Sequence, residues 1–156
     1  MLLAVVLHRL DRILLWSTRG RATVTSLLTA LPVVVLTTTG ARSRRPRSVP
    51  LVGIRVGDDM LVVASNFGAR YHPAWCLNLR AEPRAIVTYR GRSVGVTARE
   101  AGPEERSRYW SLALQHYAGF EAYARRASGR QIPLVILHPL TGAGASETAS
   151  SRLPFG

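Results

Sequence analysis

The sequence predicts a mainly β fold: a small barrel of about six antiparallel strands with helices at its periphery. Three observations predict it. Short runs rich in Val, Ile, Leu and Thr recur from Val33 to Leu137, each bounded by Gly, Pro or Asp. Most of these runs come as hairpins around tight turns. They do not alternate with helices, which argues against a doubly wound parallel sheet and for a barrel.

The first 28 residues read as a helix. Leu3, Val6, Leu7, Leu10, Ile13 and Leu14 fall on one stripe, with His8, Arg9, Asp11 and Arg12 on the other side. Such a helix either packs on its own domain or lies on an anionic membrane surface, flanked by Trp16, Arg19 and Arg21. Residues 29–140 form the barrel domain. Val33–Leu36 is a buried-strand run ending in three threonines and Gly40. Ser48–Val56 reads as one strand, Gly57-Asp58-Asp59 as a turn, and Met60–Ala64 as the returning strand. Pro73 starts a short helix, Ala74–Arg80, which stops before Pro83. Ala85–Tyr89 and Ser93–Ala98 form a hairpin about Arg90-Gly91-Arg92. Pro103-Glu104-Glu105 opens a helix to about His116, with early acidic residues that suit its dipole. Phe120–Arg126 is a second short helix and Ile132–Leu137 the last strand. Residues 141–156 are small and polar and read as a disordered tail.

At 156 residues the chain is long enough for one domain. The net charge of +12 comes from 21 basic against 9 acidic side chains, and every basic residue is Arg. That excess points to a polyanionic partner: nucleic acid, an anionic membrane or an acidic ligand. The one cysteine, Cys76, excludes an intrachain disulfide and fits a reducing compartment such as the bacterial cytoplasm. It lies mid-helix among apolar residues and reads as a structural thiol. The four histidines lack metal-ligand spacing, so no metal site is expected. No stretch has the ~18 to 20 apolar residues of a membrane-spanning helix.

Two segments could carry chemistry. Thr37–Pro50 places three threonines, Gly40, Ser43 and four arginines (Arg42, Arg44, Arg45 and Arg47) around a turn between strands. Backbone N–H groups, hydroxyls and guanidinium forks together suit phosphate or carboxylate oxygens. A solvated charged loop is the other reading. Nucleic acid is not expected, because few aromatics are interleaved to stack on bases. The second segment runs from Ala64-Ser65 into the helix bearing Trp75 and Asn78, which share a face.

In order, the chain reads Thr37-Thr38-Thr39-Gly40-Ala41-Arg42-Ser43, Pro46-Arg47-Ser48-Val49-Pro50-Leu51, Val62-Val63-Ala64-Ser65 and Pro73-Ala74-Trp75-Cys76-Leu77-Asn78-Leu79, with Tyr109-Trp110 and Ile132-Pro133-Leu134-Val135 further on. This set resembles the deazaflavin-dependent nitroreductase family, split β-barrel reductases that use coenzyme F-420. The resemblance spans Leu31 to Pro139.

The resemblance implies a split barrel of the FMN-binding type and a hydride transfer from reduced F-420 to a quinone, enone or nitroaromatic acceptor. F-420 carries a phosphodiester and an oligoglutamate tail, so it gives the arginine excess a specific partner. By similarity Arg42 and Arg47 grip its phosphate, assisted by Gly40 and Ser43. Pro50, Ala64, Ser65, Trp75 and Asn78 match positions that line or support the deazaflavin ring. Trp75 as a plain core residue is the alternative. Val52, Tyr117, Phe120 and Tyr123 match the substrate side, and Ser65, Tyr117 and Tyr123 are the candidate proton donors. The three aromatics fall at i, i+3 and i+6, which would put them on one helix face, and a core stripe has the same spacing. Asn66 stands where relatives commonly have Lys, and Phe67 where they have Gly. The rival from another class is a non-catalytic barrel that binds a flavin-like ligand or an anionic surface.

Overall fold

The computed structural model of the chain describes residues 31–140. The helix expected over 1–28 and the tail expected over 141–156 lie outside the described residues. Seven strands form one sheet: β1 (Val33–Thr39), β2 (Pro46–Val52), β3 (Ile54–Val56), β4 (Asp59–Val63), β5 (Arg84–Tyr89), β6 (Arg92–Glu100) and β7 (Leu134–Pro139). Helix α1 (Ala74–Ala81) lies between β4 and β5 in the chain. Helices α2 (Pro103–His116) and α3 (Gly119–Arg126) lie between β6 and β7. The sheet order is β2-β1-β5-β6-β7-β4-β3, and β1–β5, β5–β6, β6–β7, β7–β4 and β4–β3 pair antiparallel.

The two ends of that order, β2 and β3, are neighbours in sequence, separated by Gly53 alone. One run of chain therefore supplies both edges, which bends the sheet back on itself as a barrel. This corrects the expectation of a single strand over Ser48–Val56, and that division brings the expected count of about six strands to seven. The break falls at Gly53 because backbone and side chains meet there. A Cβ on Gly53 would lie 2.6 Å from Met60 Sδ and 3.0 Å from Val34 Cγ1.

Alternation along the strands sorts side chains into two cores. In β4, Met60 and Val62 face the barrel interior, while Leu61 and Val63 face the helices. In β7, Val135 and Leu137 face the interior, and Leu134 and Ile136 the helices. Both strands are buried on both faces, so they read as continuous apolar runs. The interior core is completed by Val34 and Leu36 of β1, Val87 of β5, Val96 of β6, and Trp75, Cys76 and Leu79 of α1. The outer core packs α2 and α3 through Tyr109, Ala113, Phe120 and Tyr123.

The last strand begins at Leu134, two residues later than expected, because Pro133 has no N–H to donate. Its carbonyl instead accepts from Ala64 N at 2.9 Å. The start of α2 is tied to β6 by Glu105. Its carboxylate accepts from Gly102 N and from both Nη atoms of Arg99, at 2.7 Å each. Those bonds, Arg99's first, hold the Glu105 carboxyl down to about 2.

Gly53→Val should lower stability by ~1–3 kcal/mol through overpacking at the corner. Urea unfolding measures it. A double-mutant cycle with Met60→Ala should show part of that loss recovered, since Met60 Sδ is the nearest atom. Equal unfolding free energies for wild type and Gly53→Val would mean that the corner tolerates a side chain.

Candidate active site

The arginine loop begins where β1 runs out of apolar residues. Val34, Leu36 and Thr38 share the inward register, so the third inward position is a buried hydroxyl. Its partner is Asn78 on α1. Asn78 Nδ2 donates to Thr38 Oγ1 at 3.0 Å, and Asn78 Oδ1 accepts from Ala41 N at 2.9 Å. Within the loop, Gly40 N donates to Arg45 O at 2.8 Å and Arg44 N to Gly40 O at 2.9 Å. Ser43 Oγ accepts from Arg45 N at 3.3 Å. The backbone of Gly40–Arg45 is thus closed on itself and pinned to α1.

The guanidinium groups of this loop are exposed. Among the described residues, Arg42, Arg45 and Arg47 have no carboxylate partner, and Arg44 acts electrostatically on Glu82. A fixed backbone carrying uncompensated forks is a donor set that fits a phosphodiester or a carboxylate chain. Asn78 itself holds the loop; its amide oxygen and one amide donor are engaged there. Trp75, expected to line or support a ring or to serve as a core residue, is buried in the interior core beside Cys76 and Leu79. Burial pushes the Cys76 thiol up to about 11, the state of a structural thiol.

The second loop leaves β4 through Ala64 and Ser65, both buried. Three consecutive residues then adopt left-handed backbone: Asn66 (φ 46°), Phe67 (φ 54°) and Gly68 (φ 82°). Gly68 is required twice over. Besides its φ, a Cβ there would lie 2.7 Å from both Tyr123 O and Arg126 Cβ, so α3 packs directly on the turn. Phe67 is a bulky residue in a region that costs such residues ~1–3 kcal/mol.

One side chain fixes this loop from behind. Arg130 Nε donates to Ala69 O at 2.9 Å, Nη2 to Ser65 O at 2.7 Å, and Nη1 to Ala64 O at 3.2 Å and His72 Nδ1 at 3.1 Å. Burial, then Arg80 and Arg130, lowers the His72 pKa, which suits an accepting Nδ1. Nothing in the sequence singled out Arg130: it is one arginine among many, in a loop without periodicity.

Val52, Tyr117, Phe120 and Tyr123 meet in the outer core. They do not share a helix face as the spacing suggested. Tyr117 caps the end of α2 in an extended conformation, and Gly119 starts α3. The corner between the helices brings the rings together instead. Tyr117 lies edge-on to Phe120 at 5.1 Å, and its hydroxyl is 3.2 Å from that of Tyr123. Phe67 joins from the left-handed turn, edge-on to Tyr123 at 5.8 Å. On β2, Val49 and Leu51 pack on the interior core, so Pro50 and Val52 occupy the opposite face, with Val52 against the outer core.

Asn78→Ala should cost ~1–3 kcal/mol by stranding Ala41 N–H and removing the donor to Thr38 Oγ1, which keeps only its own bond to Arg47 O at 3.4 Å. It should also speed tryptic cleavage after Arg42, Arg44 and Arg47, because the loop loses its anchor. Mass spectrometry of timed digests measures this, and unchanged cleavage would mean that the loop holds its shape without the amide.

Residues 9–139 match the F420H(2)-dependent quinone reductase family. Over 110 residues the chain is 34% identical to the F420H(2)-dependent quinone reductase Rv1261c of Mycobacterium tuberculosis, covering 69% of this chain and 74% of that protein. A solved structure of an F420-H2 dependent reductase, FDR-A, superposes with a TM-score of 0.63 at 36% identity, over 69% of this chain and 94% of that one. A second, described as a domain-swapped dimer, superposes with a TM-score of 0.64 at 32% identity, over 88% and 100%. With these matches and a barrel of the split type, the chain belongs to the F420H(2)-dependent quinone reductase family.

Proposed function

We propose that this protein catalyses hydride transfer from reduced coenzyme F-420 to a quinone. The observation that carries this is the arginine loop: Arg42 and Arg47 stand on a locked backbone and, among the described residues, without carboxylate partners. A phosphodiester with a glutamate tail is the chemistry such a loop accepts, and the relatives' names specify that cofactor. Arg42 and Arg47 hold the phosphate, and the Gly40 turn and Ser43 shape the seat. Arg44 and Arg45 reach the tail carboxylates. Pro50, Ala64 and Ser65 bound the ring, and Trp75 and Asn78 support it from the interior core and from α1.

Bound reduced F-420 supplies the hydride. A quinone that accepts a hydride also takes up one proton to become the hydroquinone. Tyr117 is half-buried with its hydroxyl on that of buried Tyr123, so Tyr117 delivers the proton and Tyr123 orients it. The Ser65 hydroxyl is the other donor within the loop. Val52 and Phe120 offer no proton, and the wall they help to form is apolar. Flat hydrophobic acceptors gain about 25 cal/mol per Å² buried on such a wall, which favours quinones over nitroimidazoles.

The direct test mixes the full chain with reduced F-420 and menadione without oxygen and follows cofactor absorbance. Reoxidation dependent on both protein and quinone is expected. Tight F-420 binding without reoxidation would favour the non-catalytic barrel. Arg42→Ala and Arg47→Ala should each weaken F-420 binding by ~1.5–3 kcal/mol, measured by fluorescence titration. Unchanged affinity in both variants would return the loop to a solvated role.

The apolar stripe of the first 28 residues suits a peripheral seat on the anionic inner face of the bacterial membrane, close to lipid-soluble quinones. Among the described residues no helix is long and apolar enough to cross a membrane. Removing residues 1–21 should abolish sedimentation with anionic vesicles at low salt. Equal sedimentation of both forms would place the attraction elsewhere.

A further inference from the structure

We infer that Phe67 is the residue that sets acceptor size, forming with Tyr117 the partly exposed front of the aromatic wall. This rests on the proposed quinone reduction at that wall. Phe120 and Tyr123, which sequence spacing nominated, are each only 5% exposed. They form the back of the cluster and offer an acceptor almost no surface. Val52 of β2, Phe67 of the turn after Ser65 and Tyr117 are among the partly buried residues that pack against this core. Among the residues considered for the site, Phe67 alone belongs to both halves. Its backbone lies two residues after Ser65, and its ring packs edge-on against Tyr123 at 5.8 Å.

The backbone reinforces this. Phe67 sits at φ 54° and ψ 22°, a conformation in which glycine carries no Cβ penalty. The turn is over-determined from every side. Gly68 is jammed against α3, Asn66 Nδ2 donates to Tyr71 O at 3.1 Å, and Arg130 grips Ala64 O, Ser65 O and Ala69 O. A strained conformation persists only where its surroundings impose it. The strain here aims a large ring at the aromatic cluster, where a glycine would leave a gap.

The experiment compares the full-length wild type with Phe67→Gly, Phe67→Ala and Phe67→Leu. Acceptors are 1,4-benzoquinone, with one ring, and phenanthrenequinone, with three. Phe67→Gly and Phe67→Ala should raise the kcat/KM ratio of the large quinone to the small one by about 10-fold, the scale on which pocket volume discriminates. Phe67→Leu should fall between them and wild type. F-420 affinity should change several-fold less than the quinone ratio in all three, because the phosphate loop that grips the cofactor's charge is a separate element. Phe67→Gly should melt at a higher temperature than Phe67→Ala, the reverse of their order at ordinary positions. Quinone affinity without cofactor, read by tryptophan fluorescence quenching, should shift in the same direction as the kinetic ratio. Ratios and affinities that match wild type in every variant would overturn the inference. Wild-type protein that binds quinones but reoxidises no F-420 would sink the proposed reaction alone, and the quenching series would still decide the role of Phe67.

Discussion

The architecture depends on one constraint: a single run of chain must serve both edges of the sheet. β2 and β3 can do so only by turning a corner at Gly53, where Val34 and Met60 leave no room for a side chain. Closure has two effects. It joins the two edge strands through a single residue, and it leaves β4 and β7 inside the sheet with apolar packing on both faces. The interior core then holds α1 and the outer core holds α2 and α3. Both site loops hang from this frame: one at the end of β1 and one at the end of β4.

Each loop is fixed by a polar side chain from a distant segment, and neither tie uses a carboxylate. Asn78 reaches from α1 to Thr38 and Ala41. Arg130 reaches from beyond α3 to Ala64, Ser65, Ala69 and His72. An amide is uncharged, so it can hold the arginine-rich loop without neutralising the loop's own guanidinium groups. A guanidinium on backbone carbonyls fixes its loop through a planar fork that lysine could not reproduce. The acidic side chains are deployed elsewhere: Glu105 caps α2 against Arg99, and Glu100 pairs with Arg80.

Much of the fold was legible because it rests on local signals. The apolar runs of β4 and β7, the Pro-started helices α1 and α2, and the arginine-rich turn all follow from neighbours in sequence. The misses share a cause: they depend on contacts between distant residues. Gly53 looks like any glycine within a strand until Met60 and Val34 close on it. Tyr117, Phe120 and Tyr123 do meet, yet across a helix corner that spacing alone cannot distinguish from a continuous helix. Trp75 lies buried beside Cys76 and Leu79 in the interior core, the position that both the supporting and the plain core readings allowed. Asn66 and Gly68 flanking Phe67 did carry a left-handed signal, since those residue types tolerate positive φ, but the bulky ring between them masks it. Arg130 carried none.

The tie made by Arg130 also orders events in time. Its bonds to Ala64 and Ser65 span 66 and 65 residues. During synthesis the segment after β4 emerges long before the residue that clamps it, and α1, the β5–β6 hairpin, α2 and α3 must all be made in between. Contacts so far apart in sequence carry a high loop-closure cost and form late. The turn that bears Ser65 and Phe67 therefore sets at the same late stage as the pairing of β4 with β7, which spans still more residues, so a ligand that needs this turn can stabilise only a chain made at least as far as Arg130.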